Sequence, residues 1–462
     1  MNGYIDWFIV SYFIGLNLTY LLYLVLSSIE MASAAARRMK EMDHMTLRLE
    51  ATPPVSILAP AYNESKSIVD SVRALMQLEY PRFEVVVIND GSTDTTLQVL
   101  ESRFDLVPAD MPYRRDVGSK PIRRIYRSRI EPRLLVVDKE NGGKADALNA
   151  GLNVSRSPLI CCVDADSLLV RRALLRLVEP FLYGDGSVVA TGGTVRLVNG
   201  SEVRDGMIRQ IKMPRSWVAR FQIVEYLRAF LFARLGLNRM GGNLIISGAM
   251  GLFRRHTLVE IGGYEAATVG EDMELIVRIH RRLRESKRPY RISFIPDPVC
   301  YTEAPEDMRV LGRQRDRWQR GLADSLWRHR RMILNPRFGL VGMVTMPLYV
   351  LFELLAPLVE LFGYGWTLAA TATGRLGVGV GALFFLVAFL LGLLFSLQAL
   401  IADDLTFQTY TSVRDRLGLI AAAVVESFGY RQVLLVYRAV GLVRFAWGSR
   451  AWGRQQRKGF GT

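Results

Sequence analysis

Residues 159–166 read Leu159-Ile160-Cys161-Cys162-Val163-Asp164-Ala165-Asp166. An unbroken apolar run of this length that ends in an acidic pair is the pattern of a strand buried on both faces, with its polar end at an edge of the sheet. Two aspartates one residue apart at such an end can hold a hard divalent cation, Mg2+ or Mn2+, whose other ligands are water and a diphosphate. The competing reading is an Asp that caps a helix starting near Arg171.

On either side of this run, Val55–Pro60, Glu84–Asn89, Leu134–Asp138 and Val188–Val195 read as further strands, with the fourth in chain order running from Leu159 to Asp164. Ser65–Gln77, Thr93–Leu100, Lys144–Gly151 and Arg171–Phe181 read as the helices between them. This alternation predicts an α/β, Rossmann-like doubly wound domain that binds ligands at the carboxyl ends of its strands. Those ends carry chemistry. Tyr62 and Glu64 follow the first strand, in Pro60-Ala61-Tyr62-Asn63-Glu64. Asp90, before Gly91-Ser92, either accepts a hydrogen bond from a nucleoside or caps the helix from Thr93. Lys144 follows Gly142-Gly143 at a helix start, where close backbone approach, the helix N-terminus and the ammonium all favour phosphate. No Walker pattern is present. Glu271 and Asp272 open a helical stretch; paired carboxylates raise one another's proton affinity, which suits a general base, with helix capping as the other reading. In Gln314-Arg315-Asp316-Arg317-Trp318, Arg317 offers charge to a departing diphosphate and Trp318 an indole face to a sugar. The alternative there is a basic amphipathic helix touching lipid heads.

The chain has 462 residues, 59 Lys and Arg against 44 Asp and Glu, and 50% hydrophobic residues, a composition that excludes a disordered, collagen-like or disulfide-scaffold chain. The three cysteines, Cys161, Cys162 and Cys300, lack zinc-ligand spacing and read as reduced core residues. Trp7–Ser28 is an uncharged run long enough to cross a hydrocarbon core, and Arg37, Arg38 and Lys40 behind it place the central domain in the cytosol. Further membrane segments are expected at 340–362, 377–402 and 417–443, the last interrupted by Glu426, Arg431 and Arg438. Glu353 and Glu360, seven residues apart, are expected on one face of a single helix, lining a polar conduit or tied to Arg neighbours. The organisation is then a membrane helix over 1–36, a cytosolic domain over 53–335 with an amphipathic helix at about 214–237 lying along the bilayer surface, membrane or interface helices over 340–445, and a basic tail over 446–462. The eight Lys and Arg between Arg114 and Arg133 read as a solvated excursion near anionic lipid heads, not as a nucleic-acid site.

The ordered set Asp90, Asp164-Ala165-Asp166, Glu271-Asp272 and Gln314-x-x-Arg317-Trp318 resembles the inverting family 2 glycosyltransferases of processive membrane synthases, which include cellulose, chitin, hyaluronan and poly-N-acetylglucosamine synthases. The resemblance implies a GT-A fold, a UDP-sugar donor, a growing polysaccharide acceptor and Mg2+ or Mn2+. It implies that Tyr62, Glu64 and Asp90 hold the uridine, that Lys144 and Asp164 contact the nucleotide, and that Asp166 ligates the metal. Asp272 would be the base, with Glu271 beside it. Gln314, Arg317 and Trp318 would hold the diphosphate and the acceptor end, with Ser247 and Gly248 on the acceptor side. Gly270, where cellulose synthases usually carry Thr, and Asn141-Gly142-Gly143-Lys144 lean toward the N-acetylglucosamine-polymer and hyaluronan branch. The implied protein is a multi-pass enzyme of the plasma or inner membrane that extends and helps export a β-linked polymer, with room for a small accessory membrane subunit. A non-processive transferase acting on a lipid carrier carries the same donor-site motifs.

Overall fold

The structure is a computed structural model that describes residues 3–41, 52–183, 185–204 and 206–448. The basic tail expected beyond Gly448, with Arg450, Arg454, Arg457 and Lys458, lies outside the described residues, as do the side chains of Arg37, Arg38 and Lys40. The chain divides into two compact units: a helical one built from the segments before residue 32, 212–242 and from 304 onward, and a sheet unit built from 32–211 and 243–303.

In the sheet unit the strands are β1 (Val55–Ala61), β2 (Phe83–Asp90), β3 (Leu106–Pro108), β4 (Ile122–Ser128), β5 (Leu134–Lys139), β6 (Leu159–Val163), β7 (Ser167–Leu169), β8 (Val188–Leu197), β9 (Glu202–Arg204), β10 (Met207–Gln210), β11 (Met250–Arg254) and β12 (Arg291–Thr302). Ten of them form one sheet in the order β3-β4-β5-β2-β1-β6-β11-β8-β12-β7, and β9 with β10 makes a small hairpin. The centre, β5-β2-β1-β6, is parallel, as the alternation predicts. β6 is buried along its whole length, which its unbroken apolar run requires. Beyond this centre the sheet is mixed, because β4 and β11 enter antiparallel. The expected doubly wound order therefore covers only half the sheet.

Part of the basic stretch expected as a solvated excursion is instead strand β4. Its Ile125 and Ser128 are buried while Arg123, Arg124 and Arg127 are exposed, without the strict alternation of a regular half-covered strand. The helix Lys144–Val154 packs on β1 and β2 through Leu148 and Leu152. It comes close enough at Gly151 that a Cβ there would lie 2.9 Å from Ile88 Cδ1, so a larger residue would have to push the Ile88 side chain aside. All three cysteines are buried and free. Burial pushes the Cys162 thiol up to about 12.

Two helices of the helical unit are long and apolar enough to cross a membrane, Gly3–Ala36 and Val378–Thr406, and two bent pairs meet the same measure. The first pair, Val341–Leu354 and Ala356–Ala372, bends by 46°. Glu353 and Glu360 therefore do not share the face of one continuous helix. Pro357 explains the break, since its ring displaces the carbonyl four residues earlier, that of Glu353. That carbonyl accepts from Arg438 Nη2 at 2.7 Å and from Gln319 Nε2 at 3.3 Å. The second pair, Val413–Val425 and Tyr430–Ala446, bends by 58° at Gly429, whose φ of +102° a side chain would resist.

The helix expected to lie along the bilayer surface runs from Trp217 to Arg239, with a π-helical stretch at Arg228–Arg234. It packs inside the helical unit, with Phe232 and Leu237 against Tyr23 and Phe395. Its apolar residues lie on more than one side, which suits a helix enclosed by others. Arg228 binds Glu426, whose carboxylate is fully buried and also receives Arg431 at 2.6 Å and Ser396 Oγ at 3.1 Å. Glu426→Gln removes the one carboxylate between two largely buried guanidinium groups and should cost about 3 kcal/mol. Thermal unfolding in detergent checks this, and an unchanged midpoint would mean that both arginines reach water.

Candidate active site

The parallel pairing of β2 with β5 sets Asp90 beside Lys139, and that of β1 with β6 sets the loop after Ala61 beside the one carrying Asp164. The sheet thus gathers its acidic ends along one edge. Asn63, at a positive φ of 57°, ties two of these loops together. Its backbone N–H donates to Ser92 Oγ at 3.0 Å, and its Oδ1 accepts from Thr93 N at 2.8 Å. Tyr62 beside it is half exposed. Glu64 accepts from Ser67 Oγ at 2.8 Å. The N-cap of the helix Thr96–Phe104 after β2 is Thr95, not Asp90, and Asp94 just ahead of it accepts from Thr96 N at 2.9 Å.

Asp90 turns inward. Its carboxylate accepts from Lys139 Nζ at 2.6 Å, Gly142 N at 3.0 Å and Gly143 N at 2.7 Å. The two glycine amides expected to greet phosphate are therefore already engaged by a protein anion. What the Gly-Gly turn presents instead is Lys144, the first residue of its helix.

Lys144 is the centre of the cluster. Its ammonium reaches Asp164 Oδ1 at 2.6 Å, Glu271 Oε1 at 3.1 Å and the Gly248 carbonyl at 3.2 Å. An ammonium has three N–H donors, and three acceptors meet this one. Burial opposes its charge, yet Asp164 and Glu271 outweigh burial and hold its proton affinity above that of an ordinary lysine.

Asp272 lies on the other side of Gly248, whose N–H donates to Asp272 Oδ2 at 3.0 Å, while Oδ1 accepts from Met273 N at 2.8 Å. The backbone of one residue thus touches both charged groups. A Cβ on Gly248 would lie 2.9 Å from Lys144 Nζ and 3.3 Å from Asp272 Oδ2, so glycine is required for this approach. The loop Ser247-Gly248-Ala249 is held beside the acidic pair by the antiparallel entry of β11, and Asp164 N donates to Ala249 O at 3.2 Å. Burial raises the proton affinity of the Asp272 carboxyl and Glu271 raises it further. Lys144 and the two amides pull it back, but the net direction is upward. Glu271 and Asp272 open the helix Glu271–Glu285, whose N-terminal dipole tolerates two anions where its middle would not. The segment leading to this helix is anchored at Tyr264: Asn149 accepts from Tyr264 N at 2.7 Å and donates to Tyr264 O at 2.9 Å. A cavity of about 10 Å³, lined by Lys144, Gly248 and Asp272 together with Cys162, Phe253 and Tyr264, holds at most one water.

Of the residues singled out in the sequence, the structure brings together Lys144, Asp164, Glu271, Asp272 and Gly248, with Ser247 and Asp166 on the loops at their margin. Asp90, Tyr62 and Glu64 form a neighbouring set joined through Asn63 and Gly142-Gly143. Gln314, Arg317 and Trp318 lie on the helix Met308–Arg328 of the helical unit. There the Arg315 guanidinium sits over the Trp318 ring at 4.3 Å and bonds Glu225 at 2.8 Å. Sequence reasoning missed Asn63, Asn141 and Lys139. The signal for Lys139 was a lysine closing an apolar run directly ahead of a Gly-Gly turn.

A metal expected at Asp166 fits the donor set. Asp164 meets Lys144, and Asp166 is the second carboxylate of the same strand end. Among the described residues no three His, Cys, Asp or Glu side chains gather into a cage. A hard cation that keeps its waters and takes diphosphate oxygens needs only one or two carboxylates.

Residues 56–262 match the Glycosyl transferase family 2 model. Among curated proteins, the poly-beta-1,6-N-acetyl-D-glucosamine synthase of Staphylococcus aureus (strain COL) is 26% identical over 298 residues, 64% of this chain and 60% of that protein. The synthase of the same name from Staphylococcus epidermidis is 26% identical over 275 residues, 59% of this chain and 56% of that protein. The match thus spans less than two thirds of the length of these relatives. Among solved structures, a mannosyltransferase of Pyrobaculum calidifontis in complex with GDP-Man and Mn2+ superposes with a TM-score of 0.52 at 18% identity, over 94% of this chain and all of that one, a likeness of fold. Together with the parallel sheet edge and its acidic cluster, these matches establish that the chain carries a family 2 glycosyltransferase domain of GT-A type.

Proposed function

We propose that this glycosyltransferase transfers N-acetylglucosamine from its UDP-sugar to the end of a growing β-linked polysaccharide at a cell membrane, with the catalytic domain over 53–335 in the cytosol. The observation that carries this reading is the Lys144, Asp164, Glu271 and Asp272 cluster around Gly248, in a chain similar to poly-N-acetylglucosamine synthases and equipped with apolar helices long enough to span. Asp272 is the general base. Its raised proton affinity suits the removal of a proton from an acceptor hydroxyl, and Gly248 N–H holds it in place. The freed hydroxyl attacks the anomeric carbon opposite the diphosphate, and inversion of an α-linked donor yields a β linkage. Charge grows on the departing diphosphate, and Lys144 and Arg317 are the cations that offset it. Mg2+ or Mn2+ at Asp166, when bound, supplies further charge neutralisation to the diphosphate. Tyr62, Glu64 and Asp90 are assigned to the uridine, and Gln314, Trp318 and Ser247 to the acceptor end. Glu353, Glu360 and Arg438 are proposed to line the route by which the polymer leaves, and a small membrane subunit is a fitting partner for the helical unit.

The deciding experiment supplies purified protein in detergent with Mg2+ or Mn2+ and single UDP-sugars, and follows UDP release and product size. UDP release from UDP-N-acetylglucosamine with a long, heterogeneous product is expected. Release with only a short product would favour transfer to a lipid carrier, and no release with any donor would overturn the assignment.

Three substitutions refine it. Asp272→Asn should abolish transfer and leave UDP binding nearly intact. Glu271→Gln removes the second largest cause of the raised Asp272 proton affinity, so the acid limb of kcat should move to lower pH. Asp272 works deprotonated, so activity is lost as pH falls through its pKa, and a lower pKa carries that loss with it. A limb that stays in place would refute Asp272 as the titrating base. Trp318→Ala should slow elongation more than donor hydrolysis, and equal loss of both would count against stacking on the acceptor.

A further inference from the structure

One buried charge belongs to none of the roles above. Lys139 closes β5 and has no solvent exposure. Its ammonium is met by Asp90 Oδ1 at 2.6 Å, Asp146 Oδ1 at 2.6 Å and the Glu140 carbonyl at 2.5 Å. Its three N–H donors are spent inside the protein and, unlike Lys144, its side chain has no exposed surface, so Lys139 does not reach a substrate.

Around this ammonium the chain turns from β5 into the helix Lys144–Val154. Asp90 comes from the end of β2, while Asp146 sits in the first turn of the helix Lys144–Val154, and both are more than nine-tenths buried. The intervening loop wraps the charge. Gly142 N and Gly143 N donate to the two Asp90 oxygens, and Asn141 Nδ2 donates to the Asp90 carbonyl at 2.7 Å. Asp146 also accepts from Lys120 N at 3.0 Å. A Cβ on Gly142 would collide with the Asp146 carboxylate, and Gly143 stands at a φ of +87°, so both glycines serve this one conformation. The loop ends at Lys144, whose direction toward Asp164, Glu271 and Gly248 follows from where the helix begins.

Without the ammonium, two carboxylates would face each other in a space nearly closed to water. Like charges so placed repel strongly, and desolvation adds to the cost. The relief is for the loop to open, which lets go of the amides of Gly142 and Gly143 and with them the start of the helix. We infer that Lys139 is a positioning residue of the transferase: its buried ammonium, clasped by Asp90 and Asp146, shapes the 140–143 loop and so aims Lys144 at the acidic cluster. This rests on the reading of Lys144 as a donor-site residue, but its structural half stands without it.

Lys139→Met alone leaves the two carboxylates unneutralised and threatens folding. The informative variant is therefore Lys139→Met with Asp146→Asn, which removes the repulsion between the carboxylates and leaves Asp90 as a buried charge without the ammonium that holds it and its loop in place. Two measurements on the full-length protein in detergent decide the matter. Amide hydrogen exchange over 140–146 needs no donor: the folded double variant should exchange faster than the wild type there and equally elsewhere in the sheet. Unchanged protection would overturn the inference outright.

The second measurement is UDP affinity in the presence of Mg2+, with Lys144→Met added to each background. In the wild type, loss of Lys144 should weaken UDP binding by about tenfold or more, as expected for a charge-assisted contact. If Lys139 acts through Lys144, the double variant should already show most of that loss, and adding Lys144→Met should change little. Equal losses from Lys144→Met in both backgrounds would reduce Lys139 to a stabilising residue and refute the positioning role. A wild type that binds no UDP at all would instead sink the donor assignment, and the exchange result would still judge the loop.

Discussion

The Lys144 ammonium is the interaction on which the site depends. Three chain segments remote in sequence deliver its acceptors: the end of β6 brings Asp164, the loop before β11 brings the Gly248 carbonyl, and the helix from Glu271 brings a carboxylate. Acidic groups this close would repel and lose solvation together. One shared cation makes their assembly tolerable and leaves Asp272, held by amides of Gly248 and Met273, as the carboxylate whose proton affinity is raised. A base of that kind and a cation facing a departing diphosphate are the two charges that glycosyl transfer requires.

A second ammonium, that of Lys139, stands behind the first and is hidden from solvent. The two lysines lie five residues apart, on either side of a Gly-Gly turn, and divide the work between them. Lys139 faces Asp90 and Asp146 inside the turn, while Lys144 faces Asp164 and Glu271 beyond it. Both glycine amides are drawn to Asp90, so the start of this helix offers an oriented side chain in place of an amide nest.

The helical unit follows the same logic at a different depth. Pro357 breaks the helix and frees the Glu353 carbonyl, which Arg438 and Gln319 take up. Glu426 balances Arg228 and Arg431. In an apolar setting every such group must find a partner within the protein, so the breaks and the buried charges occur together.

The parallel centre of the sheet was legible because β6 and β2 are apolar runs that end in Asp, and buried parallel strands have to read that way. Asp90, Asp164, Asp166, Glu271 and Asp272 were legible as candidates for the same reason: each follows a strand or opens a helix at its polar end. The antiparallel strands were not. β4 carries four arginines or serines among seven residues with Ile125 as its one buried apolar residue, a pattern that suits a solvated loop equally well until its neighbour β5 is in place. The helix Trp217–Arg239 read as a surface helix because its arginines suggested a polar face, and only packing shows that Arg228 is spent on a buried Glu426 nearly two hundred residues away. Lys139 and Lys144 look alike in the sequence. Local patterning determined which segments become strands and which carboxylates stand at their ends, because periodicity and burial act over a few residues. Which cation meets which anion was decided by the tertiary structure alone, because those pairs join residues that only the sheet order brings within hydrogen-bonding distance.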